Sequence, residues 1–69
     1  MENKFGLRLQ ELMKEKGYKL QDIAKAVNVS QMAVSYWIRG LRQPTADNIL
    51  ALSKFFGVSA DYLLGLTDY

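Results

Sequence analysis

Glycine and asparagine residues divide this chain into five short segments, and this punctuation limits the possible folds more than any other feature. Gly17, Gly40, Gly57 and Gly65 each follow a segment with helical periodicity. Glycine is favoured there because the residue after a helix often adopts a left-handed conformation that a Cβ atom opposes. Asn28 marks the remaining end, since asparagine is the next residue type to tolerate that conformation. With no sustained strand alternation, the sequence predicts an all-α fold of five helices.

The apolar residues of the first, second and fourth segments fall on single helical stripes. The first helix is expected from about Lys4 to Lys16 and the second from about Leu20 to Val27, and the fourth follows the only proline, Pro44. These three helices are therefore predicted to bury one face each. The residues assigned to these faces are Phe5, Leu9, Leu12, Met13, Ile23, Ala24, Val27, Ile49, Leu52 and Phe56.

Hydroxyl residues stand where three of the helices should begin. Ser30, Thr45 and Ser59 can each accept a hydrogen bond from a backbone N–H of the first turn, so they are predicted N-caps. A valine precedes both serines, and an apolar residue follows at the fourth helical position, which is the arrangement of a hydrophobic staple. The two expected staples are Val29 with Val34 and Val58 with Leu63.

The length and composition of the chain indicate one small globular domain. The chain has 69 residues, of which 49% are hydrophobic. We therefore expect a single domain over residues 1–69, with an ordered core over about 4–65 and a short tail at 66–69. A chain this short buries only about 60% of the surface that it exposes when unfolded, so its stability should be marginal.

The residue types that the chain lacks argue against several functions. It has no cysteine and no histidine, which removes disulfides, zinc fingers and the usual base of a catalytic triad. Asp22, Asp47 and Asp61 stand near the starts of separate helices, where carboxylates complement the helix dipole. We therefore expect no enzymatic activity, no metal, no cofactor and no small-molecule ligand.

Hydropathy indicates the cellular location of the chain, and net charge indicates its type of binding partner. No apolar run is long enough for a membrane span, and the first residues do not form a signal peptide. We expect a cytoplasmic protein that does not bind membranes. The formal charge of +2 and the pI near 9.0 are mildly favourable to nucleic-acid binding.

The third helix, expected to begin at Gln31, has two faces that differ in chemistry. At 100° per residue, its large apolar residues gather within about one third of the circumference. This predicted buried face consists of Val34, Trp37, Ile38 and Leu41. The predicted outward face consists of Gln31, Met32, Ser35, Tyr36 and Arg39. Exposed Met and Tyr side chains are also common on ordinary surfaces, so this pattern alone leaves the role of the outward face open.

The junction between the second and third helices favours a functional role for the outward face of the third helix. The second helix should end at Asn28 and the third should begin at Gln31, which is the spacing of a helix-turn-helix. From about Phe5 to Leu64 the chain resembles the phage-repressor-like helix-turn-helix family (lambda-repressor-like, Cro or XRE type). The resemblance is carried by Leu9-x-x-Leu12 with Lys16-Gly17, Ile23-Ala24-x-x-Val27, Val29-Ser30-x-x-x-Val34-Ser35, Gly40 with Pro44, and Phe56-Gly57-Val58-Ser59-x-Asp61-x-Leu63-Leu64.

This resemblance implies a function and a set of contact residues. A member of this family would bind double-stranded DNA in the major groove as a repressor-type transcriptional regulator, with the third helix reading base edges. It would be of bacterial or phage origin and associated with the nucleoid. The positions that match the family's base contacts are Gln31, Met32, Ser35 and Tyr36. The positions that match its phosphate contacts are Lys19, Gln21, Arg39, Arg42 and Gln43.

Two positions depart from the pattern of the family. Leu20 stands where many relatives have a phosphate-binding glutamine, so either Gln21 replaces that contact or the contact is absent. Met13 and Ile38 stand where many relatives pair a buried arginine with a glutamate. Replacing both members of a buried ion pair with apolar residues is often neutral or stabilising, whereas losing one member is costly. We therefore expect Met13 to pack against Ile38 in the core.

The assembly state and one alternative function remain open at the level of sequence. Helix-turn-helix proteins usually bind two half-sites as dimers, so a homodimer on a near-palindromic operator is expected. Apolar residues in the last helix and tail are candidates for the dimer surface, although they could equally complete the core. These residues are Tyr62, Leu64, Leu66 and Tyr69. The alternative is a protein-interaction module with the same fold, such as an antitoxin or an anti-repressor-like partner, with little affinity for DNA.

Overall fold

Five helices account for most of the described chain in a computed structural model that describes residues 3–68. Their bounds match those expected from periodicity, and no strand occurs between residues 3 and 68. The predicted all-α fold is therefore confirmed. The helices are α1 (Lys4–Lys16), α2 (Leu20–Val27), α3 (Gln31–Arg39), α4 (Ala46–Phe56) and α5 (Ala60–Leu63).

The turn between α2 and α3 depends on one left-handed residue. Asn28 has φ 58° and ψ 52°, and it is the only non-glycine residue with positive φ in the described part of the chain. Its backbone N–H donates to the carbonyl of Ala24, as does the N–H of Val29 at 2.9 Å. These bonds satisfy the carbonyl end of α2 while the chain reverses. The helix end predicted at Asn28 is confirmed.

The predicted N-caps are also present. The side-chain oxygens of Ser30, Thr45 and Ser59 accept hydrogen bonds from backbone N–H groups three residues further on, at 3.1, 3.1 and 3.0 Å. Each bond satisfies one N–H group that the helix itself leaves unpaired. The helix starts are therefore fixed by local chemistry, and α3 begins at Gln31 as expected.

The core collects the predicted apolar faces of all five helices. Its buried residues are Phe5, Leu9, Leu12, Met13, Ile23, Ala24, Val27, Val34, Trp37, Leu52, Phe56 and Leu63. Ile38 and Ile49 are half-buried and pack against this cluster. The assignment of Leu41 to the buried face is wrong, because its side chain is 63% exposed. The helical rotation used for that assignment no longer applies beyond Arg39, where α3 ends and Gly40 turns the chain.

Helix packing places α3 against two neighbours. It packs against both α1 and α2, while α4 packs against α2 and α5, and α5 also packs against α1. The Trp37 ring meets the Phe5 ring of α1 edge-on, with centroids 6.1 Å apart and an interplanar angle of 73°. Such edge-to-face pairs stabilise a core beyond the area that they bury. The inward face of α3 is thereby attached to α1.

The end of the described chain folds back onto α1 through Arg8. The guanidinium of Arg8 donates to the Thr67 carbonyl at 3.3 Å, lies 3.5 Å from an Asp68 carboxylate oxygen, and stands 4.4 Å from the centroid of the Tyr62 ring. A hydrogen bond with the Tyr62 side chain and the charge of Asp68 raise the pKa of Arg8 above its ordinary value. Residues 67 and 68 are thus in contact with the folded domain.

The predicted contact between Met13 and Ile38 can be tested by a double-mutant cycle. Met13→Arg alone should lower the free energy of unfolding by about 3 to 5 kcal/mol, because it places an unpaired charge in the core. Adding Ile38→Glu should recover part of this loss by supplying a partner, as measured by urea denaturation of both single variants and the double variant. Strictly additive losses would show that the two side chains do not meet.

Candidate nucleic-acid interface

The outward face of α3 contains all four predicted base-contacting residues. Gln31 and Met32 are exposed, with 62% of Met32 accessible, and Ser35 and Tyr36 are half-buried at the edges of the face. Val34 and Trp37 on the opposite side are buried in the core. Because one turn of helix contains 3.6 residues, burying these two side chains turns the intervening polar residues toward solvent.

A shallow groove of about 250 Å³ runs along this face. Its lining combines apolar surface from Met32 and Ala33 with the Tyr36 ring, the Ser30 cap and the Arg42 side chain. The groove therefore joins residues before, within and after α3. It offers van der Waals contact and hydrogen bonding next to a positive charge, a mixture that suits the edge of a base pair beside its phosphate.

Two arginine side chains lie close to the Tyr36 ring and make this side of the groove cationic. The guanidinium carbon of Arg39 lies 5.4 Å from the centroid of the Tyr36 ring, and that of Arg42 lies at 5.7 Å. Both distances fall within the range in which a cation is attracted to an aromatic face. Arg39 stands three residues after Tyr36 on the same helix, whereas Arg42 reaches the ring from the loop beyond Gly40. The ring thus gathers two predicted phosphate contacts beside one predicted base contact.

The remaining predicted phosphate contacts are exposed but do not line this groove. Lys19 and Gln21 stand at the start of α2, and Gln43 stands in the loop before α4. The Asp22 carboxylate accepts a hydrogen bond from the Lys19 backbone N–H at 2.8 Å, which fixes the first turn of α2. Leu20 is half-buried and packs against the core, so its side chain contributes to stability at the position where the resemblance led us to expect a phosphate-binding glutamine.

Acidic residues do not gather into a candidate metal site in the described part of the chain. Between residues 3 and 68, no group of three or more metal-ligating side chains comes together. Asp22, Asp47 and Asp61 lie in the first turns of α2, α4 and α5, as expected. No helix within the same residues is both long enough and apolar enough to cross a membrane.

Two residues that support α3 were missed by the sequence analysis. The side-chain amide of Asn3 donates to the backbone carbonyls of Trp37 and Ile38, and Gly6 lies directly beneath that contact. One signal was available, because an isolated glycine inside a helical pattern often has a packing reason. The partner of Asn3 is more than thirty residues away in sequence. No local pattern could have identified it.

A helix-turn-helix family model matches residues 9–63. The chain belongs to the helix-turn-helix family. The resemblance to phage-repressor-like members is confirmed by relatives of that type in both sequence and structure.

Two curated relatives illustrate how this helix-turn-helix chain compares in sequence. It is 38% identical over 60 residues to the HTH-type transcriptional regulator ImmR of Bacillus subtilis (strain 168), covering 87% of this chain and 47% of that protein. It is 39% identical over 59 residues to repressor protein C2 of Salmonella phage P22, covering 86% of this chain and 27% of that protein. The chain therefore spans less than half the length of these two curated relatives.

A solved structure extends the comparison to three dimensions. The P22 c2 repressor in complex with synthetic operator 9T superposes on this chain with a TM-score of 0.85 and 36% sequence identity. The match covers 91% of this chain and 96% of that one. The five-helix arrangement of this helix-turn-helix domain is therefore that of a repressor DNA-binding domain.

The start of α3 depends on the Ser30 cap, and this dependence can be tested without DNA. Ser30→Ala should lower the free energy of unfolding by about 1 kcal/mol, because the Ala33 N–H loses its side-chain acceptor. Ser30→Asp keeps an acceptor at the cap and should remain within a few tenths of a kcal/mol of the parent. The measurement is urea denaturation followed by circular dichroism. Equal stability of the alanine and aspartate variants would contradict this role.

Proposed function

We propose that this protein is a sequence-specific double-stranded DNA-binding protein that acts as a repressor-type transcriptional regulator. The observation that supports the proposal most directly is the orientation of α3, which buries Trp37 and exposes a groove lined by Met32, Tyr36 and Arg42. A helix presented in this way fits the major groove, which is wide enough to admit it. Occupying an operator would block or recruit polymerase.

We assign base reading to the outward face of α3. Gln31 pairs through its amide with adenine, and Met32 packs against the methyl group of thymine. Ser35 hydrogen-bonds to a base edge, while Tyr36 contacts a base or the adjacent phosphate. All four residues belong to one face of α3, and the residues of the opposite face are fixed in the core. The four side chains would therefore meet neighbouring base pairs together.

Phosphate binding is assigned to the polar residues around that face. Arg39 and Arg42 flank Tyr36 at the carboxyl end of α3, and Lys19 and Gln21 stand at the amino end of α2. Gln43 extends the same loop as Arg42. Contacts of this kind set the register of the protein on the duplex and make affinity depend on salt. Because the net charge is only +2, affinity for DNA would depend more on where these residues lie than on how many there are.

A homodimer on a near-palindromic site is part of the proposal. Leu64 and Leu66 are exposed at the end of the domain, and Leu7 of α1 lines a surface groove with Gly65 and Asp68. This exposed apolar surface supports a dimer interface at the end of the domain. Tyr62, which is half-buried under Arg8, is assigned to the same interface. Tyr69, also assigned to the interface, lies outside the described residues. Selected sites should then contain two inverted half-sites about 34 Å apart.

Base reading by Gln31 predicts a change in specificity at one position. When bound duplexes are selected from a random pool, Gln31→Ala should relax the preference at one base pair per half-site by about 1 to 3 kcal/mol while other positions keep theirs. Gln10→Ala, an exposed glutamine of α1, is the matched control and should leave the selected site unchanged. An unchanged preference in the Gln31→Ala variant would remove this residue from the reading face.

Phosphate contact by Arg42 predicts a change in salt dependence. The slope of log affinity against log salt should become shallower by about 0.9 in Arg42→Ala, since each phosphate contact releases about that many counterions. Lys54→Ala removes an exposed charge from α4, outside the predicted DNA-contacting residues, and should change the slope little. If the parent protein shows no salt-dependent affinity for any duplex, the alternative protein-interaction module is favoured.

A further inference from the structure

The side chain of Asn3 joins the start of α1 to the end of α3. Its Oδ1 accepts a hydrogen bond from the Gly6 N–H at 3.1 Å, which caps α1. Its Nδ2 donates to the carbonyls of Ile38 at 2.9 Å and Trp37 at 3.2 Å, in the last turn of α3. Both helix ends carry backbone groups without helical partners. A single carboxamide satisfies groups at both ends because it contains an acceptor and two donors.

Gly6 makes this approach possible. A Cβ atom at position 6 would lie 2.6 Å from the Ile38 carbonyl oxygen and 2.7 Å from that of Trp37, and it would overlap the Asn3 amide nitrogen. The two carbonyl oxygens are backbone atoms, which no rotamer change can move aside. A glycine inside a helix costs about 1 kcal/mol relative to alanine, so its presence here is accounted for by the close approach. The first turn of α1 therefore packs closely against the last turn of α3.

This contact constrains the half of α3 that carries Tyr36 and Arg39. The amino end of α3 is already fixed by Ser30 and the Asn28 turn. At the other end, α1 contacts Trp37 twice, through the Phe5 ring and through Asn3 at the backbone carbonyl. Tyr36 directly precedes Trp37 and Arg39 follows it by two residues, and both belong to the outward face of α3. A shift of the last turn of α3 would move both of them relative to Gln31.

We propose that Asn3 is a positioning residue that holds the carboxyl end of α3 in the orientation needed to discriminate between DNA sequences. This inference rests on the proposed function for its effect on DNA, although its structural part does not. Asn3 and Gly6 both lie outside residues 9–63, the part of the chain that the family model matches. The orientation of α3 is thereby linked to residues that are not part of the helix-turn-helix itself.

Two variants separate capping from positioning. Asn3→Ser keeps a hydroxyl acceptor for the Gly6 N–H but is too short to donate to the carbonyls of α3. Asn3→Asp keeps the size and the acceptor, and places a second acceptor against the two carbonyls instead of a donor. Both variants should retain α1 and the overall fold, because aspartate and serine are good N-caps. Gln10→Ala again serves as the control.

The DNA measurement compares affinity for a selected site with affinity for a random duplex. In both variants the ratio of these affinities should fall about tenfold, while affinity for random duplex and its salt slope stay within about twofold, because phosphate contacts tolerate small rotations better than base contacts. A purely structural residue would lower both affinities together, in proportion to the folded fraction. An unchanged ratio, or a parallel loss of both affinities, overturns the proposal.

Hydrogen exchange of the Gly40 amide tests the structural part without DNA. This amide donates to the Trp37 carbonyl at 3.2 Å, next to the Asn3 contact. Its exchange should become about tenfold faster in both variants, while exchange of the Ala33 amide at the other end of α3 stays the same. If the parent protein binds no duplex, the proposed function fails, and this measurement alone decides. Unchanged Gly40 exchange then overturns the positioning role, and selective acceleration supports it.

Discussion

The Trp37 ring lies in the core with its neighbour Phe5 of α1, and this packing determines which side of α3 solvent can reach. Burying one large aromatic side chain contributes about 1.5 to 3 kcal/mol, a substantial fraction of the stability of a domain this small. Val34, one turn earlier, is fully buried on the same side. With these two residues inside, helical geometry turns Met32, Tyr36 and Arg39 outward. The chemistry of the exposed face is thus a consequence of core packing on the other face.

Local signals were sufficient to predict the helices and their limits. Left-handed residues such as Asn28 and hydroxyl caps such as Ser30 act within four residues, and apolar periodicity acts within one helix. Each of these could therefore be identified from a short window of sequence. Leu41 was assigned wrongly because the periodicity was extended past the last residue of α3. The assignment of DNA contacts to individual residues remains a prediction.

The features that escaped prediction are those that join distant parts of the chain. Asn3 meets the end of α3, and Arg8 meets Thr67 and Asp68. These polar contacts depend on how the helices are arranged in space, and they leave no periodic trace in the sequence. Hydrophobic patterns predicted which faces are buried, whereas the structure was needed to show how the cationic residues gather beside Tyr36.

The outward face of α3 is the surface that we propose meets DNA. Backbone amide shifts measured by NMR during titration with a duplex selected from a random pool test this role most directly. The largest shifts are expected at residues 30–36, with further shifts at the start of α2 and at 39–43, and small ones along α4. Largest shifts on α4 or α5, with residues 30–36 unchanged, would contradict it.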